Sequence, residues 1–488
     1  MLFSGAIYDE GTLLGTATGV SNSGIGRIAI DLDAGKGWVG VDSDFFDSSA
    51  GTTGDPATGA NATFTFTAGT ELVFLFKGYS ATAAGTANFG QDSTFAGATT
   101  AGGNSDDNGY GDFKYAPPSG FLALCSANLP EPAIGPNSTT TSDEHFNTVL
   151  YTGNGSTQSI TGVGFQPDWT WLKSRSNAQG HNVFDVIRGA NVALFPNDSN
   201  AEFTDTDRLT SFDSDGFSLG ADANVNTNSA TYAAWNWKAG GTAVSNTDGT
   251  NITSSVSANP DAGMSIVSWT GTGVGSDSVG HGLTQKPDMV ICKARTSAGA
   301  NYWHVNHKDL TASDYNIFLH LTSAQTDVNT NYSEGGIGLG DADVIDFVAG
   351  YSGANNVANC NNSGSDYIAY CFHSVEGYSK VGSYVGNGSS DGPFVYTGFR
   401  PSFLLWKNSN AVTQWIIFDA VRETYNYLDA QLRPAESSAE NSAGVSYSMD
   451  FLSNGFKVRS SDSNFNGNGN TIIYLAFAEA PFKYANAR

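Results

Sequence analysis

Short apolar runs of period two, bounded by Gly, Asn, Asp and Ser, recur along the whole chain, which is the pattern of β-strands with one buried face. After the prolines at 167, 287 and 401 the second and fourth residues are apolar each time: Trp169 and Trp171, Met289 and Ile291, Phe403 and Leu405. The residue directly after each proline is Asp168, Asp288 or Ser402, so one face of each strand is a core face. Helical signal is weak and confined to 323–328 and 435–440. The pattern predicts an all-β protein of tandem, jelly-roll-like β-sandwiches.

A longer period overlies this one. An aromatic followed by a glycine turn occurs at Tyr151-Thr-Gly-Asn-Gly155, Trp269-Thr-Gly-Thr-Gly273 and Tyr384-Val-Gly-Asn-Gly388. The motif proline follows, with a lysine six positions on: Lys173, Lys293 and Lys407. A second strand comes next (His181 to Asp185, Trp303 to His307, Trp415 to Asp419), and each segment closes on an aromatic-rich strand ending near Trp237, Phe372 or Phe477. Three related β-repeats are therefore expected at 144–238, 263–378 and 379–488, behind a β-sandwich at 1–129. The Gly, Ser, Thr and Pro-rich stretches 130–143 and 239–262 read as linkers. None divides the second repeat from the third, so those two are expected to pack together.

Composition narrows the function. The 488 residues carry 22 Lys+Arg against 47 Asp+Glu, a net charge of −25, which excludes a nucleic-acid polyanion as partner. With 14% charged residues, 58 glycines and 40% apolar residues, the chain has cores to build and a surface of small polar residues. That profile suits an extracellular or virion β-protein better than a metabolic enzyme. No run approaches the ~18 apolar residues of a membrane span, and the opening MLFSGAIYDEG lacks a basic, then apolar, leader pattern. Cys125, Cys292 and Cys371 lie in apolar runs and are expected to be buried thiols, whereas Cys360, in VANCNN, is expected at the surface. The absence of a CxxC excludes a zinc knuckle.

Candidate chemistry is sparse. Lys173 and Lys407 are each followed twelve residues later by an aspartate, Asp185 and Asp419, and a structural ion pair is expected; in the second repeat the aligned strand ends instead in His307. His304 and His307 form an HxxH, but a strand points them to opposite faces, which disfavours a shared metal. Aspartates at Asp31 and Asp33, Asp205 and Asp207, Asp213 and Asp215, and Asp341, Asp343 and Asp346 have spacings loosely like calcium loops. Of these Asp213, Asp215, Asp341 and Asp343 are the calcium candidates, with solvated turns as the competing reading and no other cofactor expected. No GxSxG or Cys/His constellation is present, so no catalytic residue is assigned and a non-enzyme is expected. Trp406, Tyr370 and Trp235, off the assumed core face, are candidates for stacking on sugar rings, against burial between packed domains. The stretch 325–365 reads as an exposed, adaptable loop.

Two family resemblances add to this. The run Tyr367 to Gly388 (YIAYCFHSVEGYSKVGSYVGNG), with DGPFVYTGFRPSFLLWK, DFLSNGFKVRSS and IIYLAFAEAPFKYANAR, resembles the repeat domain of structural proteins of tailed, often marine, phages. Residues Gly26 to Gly40, Gly54-DPATGA, Ala87-NFG-Gln91 and Phe113 to Pro130 resemble the C-terminal half of a SPRY-type, concanavalin-like sandwich. Its upstream strands are missing, which implies a start at an internal site or completion by a neighbouring subunit. The phage resemblance supplies no catalytic residues. It implies a virion appendage protein, a tail fibre or similar, made in the host cytoplasm and carried on the particle surface. Its expected partners are other virion proteins, further copies of itself (a trimer by preference) and a host-surface glycan or protein. A capsid decoration or head-fibre protein is the alternative, and a polysaccharide depolymerase a third reading.

Overall fold

The computed structural model describes residues 24–67, 86–128, 133–135, 138, 140–296, 302–353, 356–442 and 444–479, and backbone pairing within 2–16. The chain divides into two compact units, Met1–Pro130 and Glu131–Arg488. In the first, strands Gly26–Asp31 and Lys36–Val41 pair antiparallel, and the second also takes Asp44–Phe45 and Phe64–Thr65. Trp38 is sealed at the centre: its indole donates to the Ala60 carbonyl at 2.9 Å and meets Phe121 edge-on.

The second unit holds three large antiparallel sheets, of four, eight and four strands, that share one four-strand order: opening, closing, central, outer. In the first segment these strands are Phe146–Thr152, Thr231–Trp237, Trp169–Ser174 and Asn182–Asp185. They are Met264–Thr270, Asp366–Phe372, Met289–Ala294 and His304–His307 in the second. In the third they are Ser379–Val385, Thr471–Ala478, Pro401–Asn408 and Ile416–Asp419. Each sheet lies against a three-stranded partner whose edge strand is Gln158–Thr161, Ser278–Gly280 or Phe394–Tyr396. The sandwich cores are separate, built on Phe217, Ile345 and Phe456 respectively.

The opposite faces of the three large sheets share one further core, in which Trp169, Trp235, Met289, Tyr370, Phe403 and Phe477 meet. Every central strand is thus covered on both faces, and all six residues of Trp169–Ser174 are buried. Burying a large apolar side chain contributes ~1.5–3 kcal/mol, so this shared core binds the three segments into one body rather than only the second and third.

A short-helix asparagine ties each glycine turn to its closing strand. Asn226, Asn361 and Asn466, all fully buried, accept from the backbone N–H of Asn154, Thr272 and Asn387. The chains approach so closely here that a Cβ on Gly153, Gly271 or Gly386 would lie 2.2–2.3 Å from a carbonyl oxygen, which is why glycine recurs.

Three expectations change. The presumed linker 239–262 contains strands Val244–Asn246 and Ser254–Asn259, and the latter pairs with Met264–Thr270 and lengthens its sheet. The presumed loop 325–365 carries Gly336–Ile337 and Val344–Val348, part of the second segment's small sheet, with Ile337 and Ile345 buried. Neither helical candidate forms a helix: in the first, Thr326–Asp327 is a strand and only Val328 enters the single turn Val328–Asn331, capped by Asp327. The second stays irregular, held by Glu440, whose backbone N–H donates to the Arg175 carbonyl and whose carboxylate pairs with Arg175 and Arg422. Among the described residues no helix is long and apolar enough to cross a membrane.

Candidate binding surface

The recurring lysines do not pair with the aspartates twelve residues on. Each reaches a carbonyl of another segment: Lys173 that of Ser437 (3.3 Å), Lys293 that of Ser199 (3.3 Å) and Lys407 that of Thr322 (3.0 Å). Burial pushes Lys173 and Lys293 down to about 8 and Lys407 to about 7, because a desolvated ammonium is costly. Asp185 is instead taken by Arg188 at 2.6 Å, and Asp419 by Arg422; a guanidinium three residues ahead in the tight turn outreaches the lysine on the preceding strand.

These contacts close a ring, first segment to third, third to second, second to first. The Trp235 indole donates to Asp419 (3.1 Å), the Tyr370 hydroxyl to Asp185 (2.8 Å), and His307 Nε2 lies 3.4 Å from the Tyr474 carbonyl oxygen. A second round runs from His181 to the Arg433 carbonyl (3.0 Å), Trp415 to Phe318 (2.9 Å) and Trp303 to Phe195 (3.0 Å). Trp235 and Tyr370 are therefore joints between segments, not sugar platforms, and both are fully buried. Trp406 is equally sealed, stacked on Phe465 at 4.5 Å and donating to the Tyr384 hydroxyl. Sequence placed these rings off the core face because it showed one core, where the fold has two.

The histidines of the HxxH are buried on opposite faces: His304 touches Asn316 and Phe318, and His307 accepts from the Asp309 backbone N–H. Burial lowers both, and His320, to about 4, so all three stand neutral at pH 7. The calcium candidates do not converge. Asp213 accepts from the Ser211 and Ser218 hydroxyls, whereas Asp215 accepts from the Gly162 and Gly164 backbone N–H groups. Asp341 holds its own turn through the N–H groups of Asp343 and Val344. Among the described residues no three His, Cys, Asp or Glu side chains are placed to share a metal. Cys360 is fully buried rather than exposed, because its short helix turns it into the second sandwich while Asn359 and Asn361 bond to carbonyls inside.

A solvent-facing groove with chemistry to offer is built mainly by the third segment, with Lys308 and Asp309 of the second. There the opening strand Ser379–Val385 and the small-sheet strand Phe394–Tyr396 are both sheet edges, and a groove of ≈ 390 Å³ lies between them. Phe394 and Tyr396 stand at its lip, 46% and 66% exposed, and Lys308, Asp309 and Lys380 border it. No sequence motif marked this groove; the signal lay in departures of one segment from the other two.

No curated protein and no solved structure matches the chain. Residues 141–481, more than two thirds of its length, match a family described as "Domain of unknown function (DUF7483)". The chain belongs to the DUF7483 domain family.

Proposed function

We propose that this chain is a non-enzymatic virion appendage protein of a tailed phage, a tail fibre or similar, that displays its β-segments for adhesion to a host-surface glycan or protein. The observation that carries the proposal is where the reactive side chains go. Lys173, Lys293, Lys407, His181, His307, Asp185 and Asp419, groups from which an active site could be built, are all engaged in contacts between segments. They hold together a β-body whose net charge is −25, suited to presenting contact residues. The phrase-level resemblance of 366–488 to phage structural repeats and the SPRY-like features of the first unit point the same way. In this reading the protein assembles with other virion proteins and with copies of itself on the particle surface, and avidity raises weak single contacts.

Competition tests it. Purified protein added to the bacterium on which the parent virus grows should block adsorption of virions, and immunogold should label the tail. No inhibition at saturating protein, with label on the head, would replace adhesion by capsid decoration. Release of reducing ends from host polysaccharide would show a depolymerase.

A further inference from the structure

We infer that the third-segment groove is a saccharide-binding site. The inference rests on the adhesion reading above and names the surface and ligand class it would use.

The lip is the first argument. Strand register places Phe394 and Tyr396 opposite Lys457 and Gly455, the positions at which the first segment has Ser159 and Thr161 and the second has Ser278 and Gly280. Small polar residues therefore satisfy the fold at both places. Alternation along the strand sends both rings outward while Val395, between them, enters the core. Two exposed aromatics that the sandwich does not require are a cost in solubility unless they meet a ligand.

The floor is the second. Where the first and second segments pair Val149 with Ala234 and Val267 with Ala369, the third pairs Gly382 with Tyr474. A Cβ on Gly382 would lie 2.7 Å from the Tyr474 hydroxyl oxygen, so the phenol occupies the space that valine fills elsewhere. The exchange brings a hydroxyl to the groove floor, where burial and the nearby Asp309 carboxylate keep it protonated.

The third is the polar complement. Among the described residues, the Tyr474 hydroxyl, the Asp309 carboxylate and the Lys380 ammonium have no hydrogen-bond or ion-pair partner. One accepts, one donates and one does both, beside an aromatic pair. A pyranose presents the matching surfaces, an apolar C–H face and a rim of hydroxyls that donate and accept. An added peptide strand fits less well. The start of the Ser379–Val385 edge is closed, since the Val381 N–H donates to Ser374 Oγ and Ser379 pairs with Val375.

Affinity electrophoresis of the full chain through gels containing purified bacterial capsular polysaccharides and lipid-free O-polysaccharides tests the site. Two double variants carry residues of the other segments: Phe394→Ser with Tyr396→Thr removes the lip, and Gly382→Val with Tyr474→Ala fills the floor. The wild type should be retarded by at least one polysaccharide, and both variants, with unchanged melting, should bind at least about tenfold more weakly, the factor that ~1.4 kcal/mol of lost contact produces. Retardation that both variants retain would overturn the groove while leaving adhesion standing. No retardation of the wild type by any polysaccharide would overturn the saccharide ligand, and virion adsorption in the presence of the protein would then decide adhesion separately.

Discussion

Asp419→Ala is the sharpest probe of the joints between segments. The Asp419 carboxylate accepts from Arg422 Nε, from the backbone N–H groups of Val421 and Arg422, and from the Trp235 indole of another segment. The side chains of Asp419 and Arg422 are 0% and 1% exposed. Removing one partner of a buried ion pair costs roughly 3–5 kcal/mol, because the other charge is left without compensation. Arg422 keeps Glu440 at 2.7 Å, which places its share at the low end of that range. The orphaned indole adds roughly 1 kcal/mol or more. The expected loss is about 4 kcal/mol, read from the urea midpoint and slope. Asp391→Ala is the control: its carboxylate pairs with Lys457 but is 85% exposed, and solvent screens such a pair, so its midpoint should not move measurably. A loss under about 1 kcal/mol for Asp419→Ala would refute the assignment of this aspartate as a joint.

Two further predictions concern pH. His304, His307 and His320 are held near 4 by burial but titrate near 6.5 when unfolded, so the unfolded chain binds more protons between those values. The histidine contribution to stability should be fully present above pH 6.5 and fall away as pH drops toward 4, and a flat melting temperature across that window would contradict the burial of these rings. Lys407, near 7 when folded and 10.5 when unfolded, has the same sign at higher pH: stability should rise from pH 7 to about 10. Lys407→Met should flatten that rise in pH-dependent denaturation, and an unchanged slope would show that this lysine is hydrated.

Much of the fold is written in the alternation of apolar residues. The Pro-to-Lys spacing also marks the central strand of each large sheet, since Trp169, Met289 and Phe403 all point into the shared core. The lysine's own partner was not legible, because a backbone carbonyl in another segment leaves no trace in residue type. Asn-rich stretches misled for a related reason: Asn361 and its neighbours read as solvent-facing, yet their amides are satisfied inside and carry Cys360 in with them. The linker reading of 239–262 failed because Ser254–Asn259 is polar in composition, although Val256 is buried against the second sandwich. The groove is visible in sequence only once strand register aligns Gly382 and Tyr474 with Val149 and Ala234; that pairing is a property of the folded sheet.

That the three segments form one body, closed by contacts from each to the next, can be tested by hydrogen exchange of the full chain with and without Asp419→Ala. The amides of Met289–Ala294 lie in the second segment, whereas the substitution breaks a joint between the first and third. The ring predicts that protection at Met289–Ala294 falls by the same factor as at Trp169–Ser174 and Pro401–Asn408, since all three open together. Protection at Met289–Ala294 that stays at its wild-type value while the other two strands lose theirs would contradict it.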